Sequence, residues 1–155
     1  MTLDSLNQDF RDLLLALADG GVEFLIVGAY ALSFHGAPRA SGDIDVFVRA
    51  SPANAAAVWK ALVAFGAPVE AAGVVPSDFE KPSLVYQIGL PPRRIDVLTT
   101  ISGVSFDEAW ATRVAAEIDG RAIHFIGRDM FLRNKEAAGR PKDLADAARL
   151  RRSSR

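Results

Sequence analysis

Two pairs of strand-like segments follow one another with no room for a helix between them. SLVYQIGL (83–90) and RRIDVLTT (93–100) are separated by Pro91-Pro92 alone. VAAEI (114–118) and AIHFI (122–126) lie close together around Asp119-Gly120, a strong hairpin-turn signal. A parallel pair would need a crossover of a dozen residues or more, so these connections argue for antiparallel pairing. Earlier in the chain strands and helices alternate. The expected class is therefore α+β, with a mixed and largely antiparallel sheet carrying packed helices, rather than a doubly wound parallel sheet.

The other elements follow from periodicity and caps. Leu3, Leu6, Phe10, Leu13, Leu14 and Leu17 recur at helical spacing, which predicts a helix over 3–18 that Gly20 and Gly21 stop. VEFLIV (22–27) predicts a buried strand, and Gly28 opens a helix through AYALSFHG. GAPRASG has loop chemistry. DIDVFVR then alternates, with Ile44, Val46 and Val48 on one face and Asp43, Asp45 and Phe47 on the other. Ser51-Pro52 is a cap followed by proline at the first helical position, predicting a helix to about Gly66. Residues 67–82 predict a loop, FDEAWAT a short helix, and two helices follow over 128–138 and 142–150.

At 155 residues the chain suits one domain, expected over 1–150 with a basic tail at 151–155. It has no cysteine, which excludes disulfide frameworks and thiolate metal sites. No apolar run reaches a membrane span and no charged leader precedes an apolar signal core, so the expectation is a cytoplasmic protein with no membrane partner. The net charge of −1 hides an asymmetry. Residues 1–120 carry eight Lys and Arg against fifteen Asp and Glu, whereas residues 121–155 carry ten against four. The basic end is read first as a solvated tail, with phosphate contact as the alternative.

The chemistry concentrates in VGAYALSFHGAPRASGDIDVFV (27–48). Asp43 and Asp45 flank an isoleucine at the head of a strand, so both carboxylates point to one face, roughly 6.5–7 Å apart by strand rise. Asp96, in RRIDVLTT, has the same setting between Ile95 and Val97. If the two strands are neighbours, three carboxylates meet on one patch. Two such charges at about 4 Å repel by about 4 kcal/mol at an effective dielectric of 20. A divalent cation removes that penalty, and Mg2+ prefers carboxylates together with substrate phosphate oxygens. Gly28 stands fifteen residues before Asp43, on the strand before the acidic one. A glycine there lets backbone N–H groups approach an anion closely.

This stretch resembles the signature of the DNA polymerase β-type nucleotidyltransferase superfamily: a hydrophobic residue, glycine, then Gly or Ser, and after a short spacer an acid–hydrophobic–acid triplet on the next strand. Asp96 matches the third acid on a later strand. HGAPRASGDID and the late NKEAAGRPKDLADA look most like small bacterial nucleotidyltransferases related to abortive-infection toxins. The resemblance spans about residues 22–148. It implies the nucleotidyltransferase fold and transfer of a nucleoside monophosphate from an NTP to an acceptor hydroxyl, with release of pyrophosphate. It implies Mg2+, or Mn2+ in its place, on Asp43, Asp45 and Asp96, with Asp96 also serving as the base or orienting the acceptor. Gly28, Ala29, Arg39, Ser41 and Lys135 would hold the nucleotide. Ala29 stands where the superfamily usually has Gly or Ser, which removes a hydroxyl but keeps the backbone N–H.

Other readings of Asp-x-Asp fail on context. Haloacid-dehalogenase phosphatases want threonine two positions after the second Asp, and Phe47 stands there. Glycosyltransferases generally need a larger sugar-nucleotide domain. Each supporting residue also has a plainer expectation: Arg39 as an exposed loop arginine, Lys135 on a solvated helix face, Asp143 as a first-turn helix acid, and Asp146 facing solvent or pairing with Lys142. His35 is expected to cap a helix end, His124 to be structural, and Trp59 and Trp110 to pack helices. The acceptor is open among RNA, protein and small molecule. Two alternatives stand beside the enzyme: an inactive nucleotidyltransferase-fold binding module, such as a toxin–antitoxin component, and a subunit whose acceptor-binding half is a separate helical protein.

Overall fold

The computed structural model describes residues 6–40, 42–90 and 92–153. Leu3 of the first predicted helix and Ser41 of the predicted nucleotide site lie outside them. Asn7 accepts from the Phe10 amide at 2.9 Å and starts helix α1 (Gln8–Asp19), whose Phe10, Leu13, Leu14 and Leu17 are buried. Strand β1 (Phe24–Val27) is buried throughout and turns directly into the short helix α2 (Gly28–Phe34). Strand β2 (Ile44–Val48) follows, then α3 (Pro52–Phe65) with the expected Ser51 cap on Asn54 and proline at its start. Strands β3 (Val85–Ile88) and β4 (Ile95–Leu98) precede α4 (Phe106–Ala111). Strands β5 (Val114–Ile118) and β6 (Arg121–Phe125) lead to α5 (Arg128–Ala138) and α6 (Pro141–Ser153).

The six strands form one sheet in the order β3-β4-β2-β1-β6-β5. Three of the five pairings are antiparallel (β1 with β2, β3 with β4, β5 with β6), and β1 with β6 and β2 with β4 are parallel. The sheet is therefore mixed and largely antiparallel. Both predicted strand pairs are there, and each sits at one edge of the sheet. The acidic strand β2 runs near the centre, between β1 and β4. Its apolar residues Ile44, Val46, Phe47 and Val48 are all buried, and Phe47 meets Phe106 edge-on at 5.1 Å. Helix α1 packs on α3, and α5 on α6.

Two local expectations change. Residues 67–82 are not simply loop, because a 3-10 turn at Pro76–Glu80 seats the fully buried Phe79 and packs on α3. Helix α6 continues past residue 150 to Ser153, taking in Arg151, which pairs with Glu136 of α5. Asn54 is a buried polar residue that sequence patterning passes over. It accepts from the Glu23 amide (2.8 Å) and donates to the carbonyls of Glu23 (3.0 Å) and Arg49 (2.8 Å), tying α3 to both central strands. No helix among the described residues is long and apolar enough to cross a membrane.

Candidate active site

The site begins with a register. Strands β2 and β4 are parallel neighbours in which Asp45 stands opposite Asp96. Side chains two apart on a strand share a face, so Asp43 and Asp45 on one side meet Arg94 and Asp96 on the other. The Asp45 and Asp96 carboxyls are near enough to act on each other directly. Burial first, and then the Asp96 carboxyl, push the Asp45 carboxyl up to about 6, against an opposing pull from Lys135. Two carboxylates in contact at neutral pH call for a proton or a cation between them.

The glycine before α2 lies directly over this pair. Val27, the last residue of β1, is in register with Asp45, so the chain turns into α2 above the Asp45 carboxylate. Gly28 has φ +68°, and a Cβ there would lie 2.3 Å from Asp45 Oδ2. Glycine is thus required twice, by the left-handed backbone and by the carboxylate beneath it. A second close approach lies at the entry to β2. A Cβ on Gly42 would sit 1.5 Å from the Pro92 carbonyl oxygen, so the segment before Asp43 is laid against the segment before Arg94. Asp43 Oδ1 accepts from the Arg94 amide at 3.0 Å. The Arg94 guanidinium forks onto Asp96 (2.8 and 3.2 Å) and lies 3.4 Å from Asp43 Oδ2.

Helices α5 and α6 close the other side. Lys135 is buried and is held between Asp143 (3.5 Å) and Asp146 (3.4 Å), both buried. Arg39 forks onto Asp146 (2.7 and 3.1 Å), and Arg140 forks onto Asp143 (2.6 and 3.2 Å). Burial works against the Asp143 charge, but Arg140 and Lys135 outweigh it and hold the carboxyl below its ordinary range. Asp146 accordingly neither faces solvent nor pairs with Lys142; it is 3 % exposed and joins Arg39 to Lys135. Asp143 does occupy the first turn of α6, but it is a buried partner as well as a helix-start acid. Lys135 likewise leaves the solvated face, and Arg39 is a tethered loop arginine.

These groups line a cleft of about 230 Å3, whose walls include Gly28, Ala29, Arg39, Asp43, Asp45, Asp96 and Lys135. Every site residue predicted from sequence within the described residues is among them. Arg94, Arg140 and Lys142 join the same wall. Five cations (Arg39, Arg94, Lys135, Arg140, Lys142) there face five carboxylates (Asp43, Asp45, Asp96, Asp143, Asp146). The wall is charge-balanced, so an anion is best received together with its own counter-cation. A larger cleft of about 390 Å3 adjoins it through Gly28, Asp45 and Lys135, with apolar walls such as Val85, Leu98 and Ile101.

Neither histidine enters the cleft. His35 Nε2 is 2.7 Å from the Ile126 carbonyl, so its ring reaches a carbonyl outside its own helix, while its backbone closes α2. His124 stands edge-on to Trp110 at 5.2 Å, and burial, with Arg113 nearby, keeps its pKa below the ordinary value. Trp59 donates to the Val74 carbonyl at 2.9 Å and packs α3.

The donor set suits a divalent cation. Asp45 and Asp96 supply paired carboxylate oxygens, hard donors whose mutual repulsion such an ion would relieve. Among the described residues no three carboxylates or imidazoles already converge as a cation cage. Asp43 is engaged by Arg94 instead.

The fold is one that solved nucleotidyltransferase-like structures share. A solved Thermotoga maritima structure, described as a "putative nucleotidyltransferase", is similar to this chain at a TM-score of 0.50 and 13% identity, covering 95% of this chain and 93% of that one. An antigenic nucleotidyltransferase-like protein from Paracoccidioides brasiliensis is also similar, at a TM-score of 0.49 and 17% identity, covering 94% of this chain and 77% of that one. No protein-family model matches the chain, and no curated protein matches it in sequence.

Proposed function

We propose that this protein is a Mg2+-dependent nucleotidyltransferase that moves a nucleoside monophosphate from an NTP to an acceptor hydroxyl. The observation that carries the reading is the in-register Asp45–Asp96 pair beneath Gly28, in a charge-balanced cleft on a nucleotidyltransferase-like fold. Asp45 and Asp96, with Asp43 beside them, would hold the cation. When bound, it supplies Lewis-acid charge at the transferring phosphoryl group and the departing pyrophosphate.

The chain's own residues do the rest. The backbone at Gly28 and Ala29 faces the cleft without a side chain large enough to block a phosphate. Arg39 and Lys135, fixed by Asp146, set positive charge on the wall opposite the Asp45–Asp96 pair. Asp96 takes the proton of the acceptor hydroxyl as its oxygen bonds to the α-phosphorus; the α–β bridging P–O bond breaks and pyrophosphate leaves. The apolar walls of the larger cleft suit the base and sugar. A neutral wall fits this substrate, because an NTP with divalent cations arrives nearly uncharged, whereas a bare tetra-anion gains nothing there.

Purified protein is incubated with Mg2+ and each α-32P NTP in turn, against total RNA, cell protein and hydroxylated small molecules, beside Asp43→Ala/Asp45→Ala. Label from one NTP that disappears in the variant is the expected result. No label on any acceptor, together with no Mg2+-dependent NTP binding, would replace the enzyme with a binding module. Gly28→Ala should fold with a loss of about 1–2 kcal/mol from its left-handed backbone and lose tenfold or more in transfer, as its methyl displaces Asp45. Wild-type turnover in that variant would show that the contact is irrelevant to the chemistry.

A further inference from the structure

Arg94 contacts two of the three acids, Asp43 and Asp96, at once. Its guanidinium forks onto Asp96 through Nε (2.8 Å) and Nη2 (3.2 Å), and Nη2 also reaches Asp43 Oδ2 at 3.4 Å. It therefore places positive charge between two of the carboxylates that a divalent cation would use. The side chain is 28% exposed, so part of it already faces solvent. The Arg94 amide separately holds Asp43 Oδ1, so Asp43 stays tethered when the guanidinium leaves.

We propose that Arg94 is a built-in counter-cation: it occupies Asp43 and Asp96 in the metal-free protein, competes with the divalent cation for them, and swings away when the cation binds. This rests on the metal-dependent reading of the same site and adds a control on it. Ion pairing with Arg94 offsets one of the two negative charges of Asp43 and Asp96 while no metal is present, and metal entry must break that pairing. The wild-type site thus binds metal more weakly than its carboxylates alone would. Once released, the guanidinium is a forked phosphate donor at the cleft wall, so metal and nucleotide should favour each other's binding.

The test is Mn2+ binding without nucleotide, followed by the paramagnetic resonance of free Mn2+, for wild type, Arg94→Gln and Arg94→Lys. Arg94→Gln should bind Mn2+ about two- to fivefold more tightly, the size expected when one partly exposed ion pair stops competing, and Arg94→Lys should stay near wild type. Equal or weaker binding by Arg94→Gln overturns the proposal and leaves the proposed transfer activity standing. Should Arg94→Gln fail to fold, the wild-type Arg94 Nε–H resonance, assigned by its loss in Arg94→Lys, serves instead. It should shift in proportion to Mg2+ bound, and a resonance that does not move as the site fills overturns the proposal. If no folded protein binds Mn2+ at all, the counter-cation fails together with the metal-dependent reading. If Mn2+ tightens as expected but no acceptor is ever labelled, only the proposed reaction fails.

Discussion

Asp45→Asn should abolish transfer, by on the order of a thousandfold or more, and should also make the metal-free protein more stable at neutral pH. Both effects have one cause. The wild-type carboxyl is pushed from 3.8 to about 6 by burial and by Asp96. The folded state thus keeps a proton there that the unfolded chain has already released. A group raised in this way contributes its full stability below pH 4 and loses it as pH climbs through about 6. Above pH 7 the wild type carries the penalty of two adjoining carboxylates and the amide does not. The expected gain is about 1–3 kcal/mol at pH 7.5, or about 2–4 °C in Tm per kcal/mol, vanishing below pH 4. Thermal melts in a chelating buffer from pH 4 to 8 measure it. Adding Mg2+ should then stabilise the wild type and leave Asp45→Asn unmoved. A variant that melts no higher than wild type at pH 7.5 would mean that the Asp45–Asp96 contact carries no such penalty.

Asp146→Ala should be the most damaging single change away from the apolar core. It strips the buried partner from Arg39 and Lys135 together, and leaves Lys135, 9% exposed, with Asp143 as its remaining ion-pair partner. Removing one member of a buried ion-pair network costs about 3–5 kcal/mol, because the charges left behind cannot recover their hydration. Lys142→Ala, at the position expected from sequence to pair with Asp146, should cost under about 0.5 kcal/mol, as exposed charges generally do. Urea unfolding of the two variants side by side gives the comparison. A loss below about 1 kcal/mol for Asp146→Ala would show that the network contributes little to stability. Asp146→Asn should fall in between, since an amide can still accept from Arg39 but cannot balance its charge.

Much of the site was legible because strand periodicity is simple. Side chains two apart share a face, so DID and RRID could be read as acidic faces before any pairing was known. The same rule places Arg94 on the face of Asp96. Helix periodicity likewise carried a missed signal in α6. Asp143, Asp146, Ala147 and Leu150 stand at i, i+3, i+4 and i+7, the spacing of a buried stripe, and all four are buried. Two aspartates in such a stripe require cations brought to them. Asp146, expected to face solvent or to pair with Lys142, meets Arg39 and Lys135.

Local chemistry accounts for the elements themselves: the Ser51-Pro52 start of α3, the Asp119-Gly120 hairpin, and the close-set strand pairs that make the sheet largely antiparallel. These depend on neighbours in sequence, and their energetics are short-range. Strand order and register depend instead on which faces bury each other across the whole domain. That long-range choice sets β2 beside β4 with Asp45 against Asp96, and brings Gly28 over the pair. It also joins Arg39 to Asp146 across 107 residues of chain. No local pattern encodes such a distance, because the buried charges find their partners only when the sheet and the two C-terminal helices have packed.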